Sequence, residues 1–199
     1  MPDCEITIFA EDFGHEVFLT ALLSRLAKEQ DVTISIIKRN ASGGHGRVIR
    51  EFREFLDDLR DYKVALPDLI VVASDTNCQG LSERKSQILD KCDDLRNRVV
   101  VCALPDPHVE RWLLLDSEAF KVVLGTGCKP PDHKCDKGRY KRLLREAVRE
   151  AGSSPTIGGL EYSEDIVSAM NLSRVVKQDP SLKGLIEELS ARLRQWPSS

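Results

Sequence analysis

The sequence predicts an α/β fold, a four-stranded and mostly parallel sheet flanked by helices and continued by a helical C-terminal extension. Three observations predict it. Short β-prone runs alternate four times with segments whose apolar residues recur every three to four positions, an order that right-handed crossovers fold into a parallel sheet. The run Leu69-Ile70-Val71-Val72-Ala73 has no polar alternation, as in a strand covered on both faces. After Pro107 only helical periodicity is convincing.

Each element follows from its residues. Ile6 to Ala10 reads as the first strand, and apolar residues at 18, 19, 22, 23 and 26 mark the helix that starts at Gly14. Val32 to Ile37 reads as the second strand, followed by a stripe of Val48, Ile49, Phe52, Phe55, Leu56 and Leu59. Ser82 and Glu83 open a third helix through Ile88, Leu89, Cys92 and Leu95, and Val99 to Leu104 is a fourth strand stopped by Pro105 and Pro107. The helical stretches beyond are Trp112–Leu115, 140–148, 162–171 and 182–193, with loops expected at 125–137 and 152–159. The chain therefore divides into an α/β domain at 1–124 and a loop with helical extension at 125–199, packed on it.

Composition narrows the function classes. Hydrophobic residues make up 41% and charged residues 31%, the balance of a globular chain rather than a disordered or fibrous one. No apolar run approaches the roughly 20 residues that cross a bilayer, and the N-terminus is acidic where a signal peptide is basic, so a cytoplasmic protein without membrane association is expected. Six scattered cysteines, several in apolar segments, read as reduced buried thiols rather than disulfides. A net charge of −3 offers nucleic acid no global attraction. One local patch does: between 129 and 145 seven cations (Lys129, Lys134, Lys137, Arg139, Lys141, Arg142 and Arg145) outnumber Asp132 and Asp136 by five. The same run also fits a charged loop followed by a solvated helix face.

In open parallel sheets ligands bind at the carboxyl ends of the strands. There the sequence places Glu11 after strand one, Asp75 with Asn77 after strand three, and Glu110 after strand four. Magnesium takes oxygen ligands, typically one or two carboxylates with waters and substrate phosphates, so a sparse acidic set suits it. A strand-end acid can equally cap a helix, as Asp75 could for the helix that follows.

These residues resemble the Toprim domains of topoisomerases, primases and the nuclease half of overcoming-lysogenization-defect (OLD) proteins, over about residues 5–116. The family's Glu after its first strand and D-x-D after its third correspond to Glu11 and Asp75-Thr76-Asn77. Glu110-Arg111-Trp112-Leu113-Leu114 is similar to the Glu-x-Trp-Leu-Leu signature of small Toprim-like proteins. The chain departs from the pattern where Asp12-Phe13-Gly14 replaces the glycine after the first Glu, and where Asn77 replaces the second Asp. The resemblance implies a Toprim-like domain at 1–124 and a Mg²⁺- or Mn²⁺-dependent nuclease with Glu11, Asp75 and Glu110 as catalytic metal ligands and Asn77 assisting. It implies a nucleic-acid substrate, DNA in preference to RNA, gripped by the 129–145 patch. It also implies a P-loop ATPase partner in anti-phage defence. The alternative it allows is a non-catalytic regulatory or sensor subunit of such an ATPase.

Other motifs carry weaker readings. Gly43-Gly44-His45-Gly46 could bring backbone amides and an imidazole to a phosphate or simply form a flexible turn, and His15 shares that ambiguity. Cys128, His133 and Cys135 supply at most part of a zinc site, which needs four ligands. Trp112, beside three leucines, reads as a core anchor, and the stripe Leu182, Leu185, Ile186, Leu189, Leu193 as core or a partner-binding face.

Overall fold

The computed structural model describes residues 4–40, 43–92, 98–136 and 138–196. Four strands, β1 (Cys4–Ala10), β2 (Ile34–Asn40), β3 (Leu69–Ala73) and β4 (Val100–Ala103), form one sheet in the order β2-β1-β3-β4. Every neighbouring pair is parallel, with Ile6 opposite both Ile36 and Leu69, and Val71 opposite Val101. The helices are α1 (Phe13–Glu29), α2 (His45–Arg60), α3 (Leu81–Leu89), α4 (Val109–Leu113), α5 (Ser117–Leu124), α6 (Arg139–Glu150), α7 (Ser163–Ala169), α8 (Leu172–Val175) and α9 (Pro180–Arg194).

The period of two along each strand separates two hydrophobic layers. Ile6, Ile8, Val71, Ala73, Val101 and Ala103 face a large core shared by α1, α4, α5, α6, α7 and α9. Phe9, Ile70, Val72, Val100 and Leu104 face a smaller one under α2 and α3. The extension thus packs on the α/β domain by completing its larger core: Ile166, Val167, Leu182 and Leu189 are fully buried alongside Phe18 and Leu22 of α1. Trp112 is the anchor expected, buried against Phe18 with ring centroids 5.1 Å apart.

Several boundaries differ from expectation: α3 ends at Leu89 rather than continuing through Cys92 to Leu95, of which Leu95 lies outside the described residues, and α4 begins at Val109 rather than Trp112. Strand β2 runs 34–40 rather than 32–37, because in-register pairing with all of β1 carries it through the polar Lys38 and Arg39. Helix α5 was not foreseen, although Asp116 caps it by accepting the Glu118 and Ala119 N–H groups and Gly125 ends it in the left-handed conformation. Gly14 has a packing role: a Cβ there would lie 3.2 Å from Val109 Cγ1 and 3.3 Å from Leu160 Cδ1. Its absence lets the start of α1 approach α4, which brings two of the chain's acids together.

The thiol reading needs correction. Cys4, Cys92 and Cys128 are buried thiols and Cys102 a partly buried one, all outside any disulfide, but Cys78 and Cys135 form a disulfide across 57 residues of sequence. They pair because the turn after Asp75 and the 125–136 loop meet above the same sheet edge, a proximity that residue spacing does not encode.

Candidate functional site at the carboxyl edge of the sheet

The three acids meet on one edge, linked through the backbone. Glu11 directly follows β1, and its Oε2 accepts the Asp75 N–H at 3.0 Å and the Ser74 hydroxyl at 2.5 Å. With that proton committed, Ser74 Oγ is the acceptor for His45 Nδ1–H at 2.8 Å. His45 is the first residue of α2, so the Gly43-Gly44 turn, with φ of 146° and 85°, places this imidazole against the Glu11 support. Burial and the nearby Arg84 cation push the His45 pKa down, keeping the ring neutral.

Asp75 is only 5% exposed and lies between two histidines. Its Oδ2 is 2.7 Å from His108 Nδ1, and its Oδ1 accepts the Val109 N–H at 3.1 Å. His15 Nε2 is 3.1 Å from the same Oδ1 but poorly aimed for a hydrogen bond, so the contact acts through charge. The other ring nitrogen of His15 meets Asp12 Oδ1 at 2.8 Å. Burial alone would depress the His15 pKa, but the Asp75 and Asp12 carboxylates outweigh it and lift it to about 10. Burial likewise opposes, and the imidazoles overcome, the shifts that hold Asp75 and Asp12 below the usual carboxylate range. His108 is raised despite its burial, by Asp75.

Glu110 behaves differently. It is 2% exposed, and its Oε2 has no hydrogen-bond partner among the described residues. Burial first, then repulsion from Asp75, push its pKa up, against the pull of Lys141. Lys141, in the first turn of α6, sets its Nζ 3.7 Å from both Glu110 Oε1 and Asp12 Oδ2. Among the described residues of the expected nucleic-acid patch, it is the one that belongs to this cluster.

The rest of that patch is largely occupied elsewhere. Asp132 pairs with Lys134 at 3.3 Å and with Arg139, and Asp136 pairs with Arg142 at 3.3 Å. Lys129 and Arg145 are exposed, and Lys137 lies outside the described residues. Asn77 sits in a left-handed turn with φ of 47°, exposed, its N–H on Pro107 O at 3.4 Å. Its side chain makes no hydrogen bond to the acids among the described residues. The zinc set is dispersed: Cys128 lies against Leu114 O, Cys135 is in the disulfide, and His133 pairs with Asp106 at 3.2 Å.

Sequence reasoning missed Asp12, Ser74 and His108 as site residues. Ser74 and Asp12 flank the acids directly in sequence, and His108 precedes Glu110 by two, but polar neighbours of a strand end point inward or outward according to a turn that the sequence does not display.

Among the described residues no three His, Cys, Asp or Glu side chains converge closely enough to enclose a metal ion by themselves. Magnesium does not require this, since it keeps several waters and shares substrate phosphates. An unpartnered buried Glu110 oxygen and the mutual repulsion of Glu110, Asp75 and Asp12 fit a cation drawn to this edge. A family model described as a domain of unknown function (DUF4276) matches residues 10–190. No curated protein and no solved structure matches the chain.

Proposed function

The chain belongs to the DUF4276 family, and from its site we propose that it is a divalent-metal-dependent phosphodiester hydrolase acting on nucleic acid, with Glu11 and Glu110 as metal-facing carboxylates and Asp75 as the fixed acid between them. One observation carries the reading: Glu110 is buried with a carboxylate oxygen unpartnered, directly under an exposed lysine at the carboxyl edge of a parallel sheet. Buried acids that only stabilise a fold are hydrogen-bonded. An acid left unsatisfied beside three other ionisable groups is poised for a ligand.

A bound Mg²⁺ or Mn²⁺ would supply Lewis-acid neutralisation of the charge that builds on the phosphoryl oxygens. The protein's own groups do the rest. Lys141, exposed and held only at 3.7 Å by Glu110 and Asp12, turns to a non-bridging phosphate oxygen, with which it makes a charge-assisted hydrogen bond. This uncovers Glu110, whose raised pKa suits it to take a proton from the attacking water. His108, held by Asp75 through Nδ1, offers its Nε2 proton to the departing oxygen. His45 and Ser74 keep Glu11 from turning away. The family resemblance at Glu11, Asp75 and Glu110 supports the same class, and with it a P-loop ATPase as partner.

The test is cleavage of DNA and RNA oligonucleotides by the purified chain, alone and with an ATPase encoded beside it, across Mg²⁺ and Mn²⁺ concentrations. Metal-dependent cleavage that Glu110→Gln and Asp75→Asn abolish supports the reading. Cleavage indifferent to both substitutions ends it, and absence of cleavage in the complex favours the non-catalytic subunit.

A further inference from the structure

The Cys78–Cys135 bridge stands apart from the other cysteines. Both of its residues are exposed, whereas Cys4, Cys92 and Cys128 are buried, and burial raises the Cys4 and Cys128 thiols to about 11. It is therefore the sulfur pair that an external thiol can reach. It is also next to the acidic cluster. Cys78 lies three residues after Asp75, in a turn where Asn77 and Cys78 both take left-handed backbone angles, φ 47° and 67°. Such angles in two successive non-glycine residues persist where the surroundings impose them.

Cys135 ends the 125–136 loop, which has no regular structure. Several ties of this loop are internal to it and to α6: Asp132 to Arg139, and the Tyr140 hydroxyl with the backbone of Asp132 and Lys134. Among the described residues, Cys128 anchors the start of the loop on Leu114 O, and two ties reach the strand-end turns, namely the bridge itself and the His133–Asp106 pair at 3.2 Å, with Asp106 in turn accepting the Thr76 hydroxyl at 2.8 Å. The covalent one dominates. The loop is thereby held beside the cluster, with the Lys134 N–H on the hydroxyl of Tyr140, whose ring in α6 lies 6.1 Å from that of His108.

We propose that Cys78–Cys135 is a reversible thiol–disulfide site, exchanged by a dithiol reductant, that fastens the segment 129–136 beside the acidic cluster. One thiolate of the reductant attacks a bridge sulfur, forming a mixed disulfide and releasing the other cysteine as thiolate. The second reductant thiolate displaces the mixed disulfide. Cys78 and Cys135, now reduced by two electrons, take up two protons, and the reductant leaves as its own disulfide. A disulfide oxidant runs the sequence backwards. Helix α6 and the start of the loop stay in place, because Tyr140, Leu144 and Val148 are fully buried and Cys128 is buried with its thiol on Leu114 O, so reduction frees the segment 129–136, with its Lys129 and Lys134, rather than the helix. The reduced form accepts an extended polyanion that the oxidised form excludes, a consequence that rests on the proposed nuclease reading.

The experiment uses the full chain purified without reductant, then treated with dithiothreitol. Native alkylation read by mass spectrometry is expected to label two additional thiols, Cys78 and Cys135, only after reduction, with Cys4, Cys92 and Cys128 protected. Amide hydrogen exchange is expected to speed up about tenfold in 129–136 and 76–80, with the amides of Leu144 and Val148 unchanged. Cys78→Ser and Cys135→Ser, each alone, are expected to show the fast exchange with or without dithiothreitol. Full labelling of both cysteines before reduction, or identical exchange in the two redox states, overturns the proposal. Binding of a fluorescent single-stranded DNA is expected to strengthen several-fold on reduction. Exchange that responds while DNA binding does not leaves the thiol site standing and counts against the nuclease reading.

Discussion

Helix α4 carries two buried charge systems on neighbouring residues, one met by a buried opposite charge and the other set beside a like charge. Arg111 turns inward to Asp179, which also caps α9 through the Leu182 N–H at 2.8 Å and accepts the Trp112 indole N–H at 3.3 Å. Ser181 completes the network by accepting from the same indole at 3.1 Å. One residue earlier, Glu110 faces the sheet edge with an oxygen unmet and a like-charged neighbour in Asp75. The satisfied Asp179 carboxylate, paired with Arg111, holds the extension to the domain, although the Arg111 Nε has no hydrogen-bond partner among the described residues. Unsatisfied buried charge costs stability and is tolerated where a ligand completes it.

The largest effect should come from the satisfied side. Asp179→Ala leaves Arg111 buried without its carboxylate and removes the α9 cap, a loss of about 3–5 kcal/mol. For a chain of 199 residues each kcal/mol lowers the melting temperature by roughly 2–4 °C. A melt within a degree or two of the parent would show that the network is not what joins the two parts, and the comparison would collapse.

Next is the unsatisfied side. Glu110→Gln keeps the shape and removes the repulsion, so stability should hold or rise by about 0–1 kcal/mol, while metal-dependent cleavage falls on the order of 10²–10⁴-fold. Paired calorimetry and cleavage assays check it. A variant that melts several degrees lower would place Glu110 with Asp179, as a structural acid.

The pH dependence sharpens the same contrast. His15 is charged in the fold with a pKa near 10, against 6.5 when unperturbed. Its contribution is therefore complete below about pH 6.5 and is lost as pH rises through 10. Asp75 and Asp12 are held below 3.8, so their contribution is complete above that value and is lost as the solution is acidified below it. The melting temperature should peak between about pH 4 and 6.5 and decline by several degrees towards pH 10. His15→Gln should flatten the alkaline limb, and an unchanged limb would remove His15 from the charged cluster.

The layering of the molecule was legible because burial on both faces leaves a plain mark: Leu69 to Ala73 has no polar residue, and the helices carry stripes every three to four positions. β2 was misplaced because it is an edge strand whose Lys38 and Arg39 look like loop, and only the partner strand extends it. Glu11, Asp75 and Glu110 were legible because strand ends in parallel sheets collect ligands. His108 was not, since it reaches Asp75 only when the turn at 105–107 folds back. Lys141 and Arg142 were indistinguishable as members of one basic run. A helix of 3.6 residues per turn sends adjacent side chains about 100° apart, so one enters the site and the other meets Asp136.

That pair gives the smallest predicted effect. Arg142 is an exposed cation 3.3 Å from an exposed carboxylate, a kind of pair worth roughly 0–1 kcal/mol. Arg142→Ala should shift stability by less than about 0.5 kcal/mol. It should also leave nucleic-acid affinity nearly unchanged, because Asp136 already neutralises the guanidinium. Lys141→Ala one residue away should weaken binding at low salt and reduce the slope of log affinity against log salt by about one, the signature of one lost phosphate contact. It should also release Glu110 and Asp12 from their shared cation, so Mn²⁺ affinity rises while cleavage falls. Fluorescence anisotropy across a salt series, with a Mn²⁺ titration on the same variants, separates the two residues. Equal salt slopes for Lys141→Ala and Arg142→Ala would mean that the basic run acts as a diffuse surface charge, and the assignment of Lys141 to the site would fail.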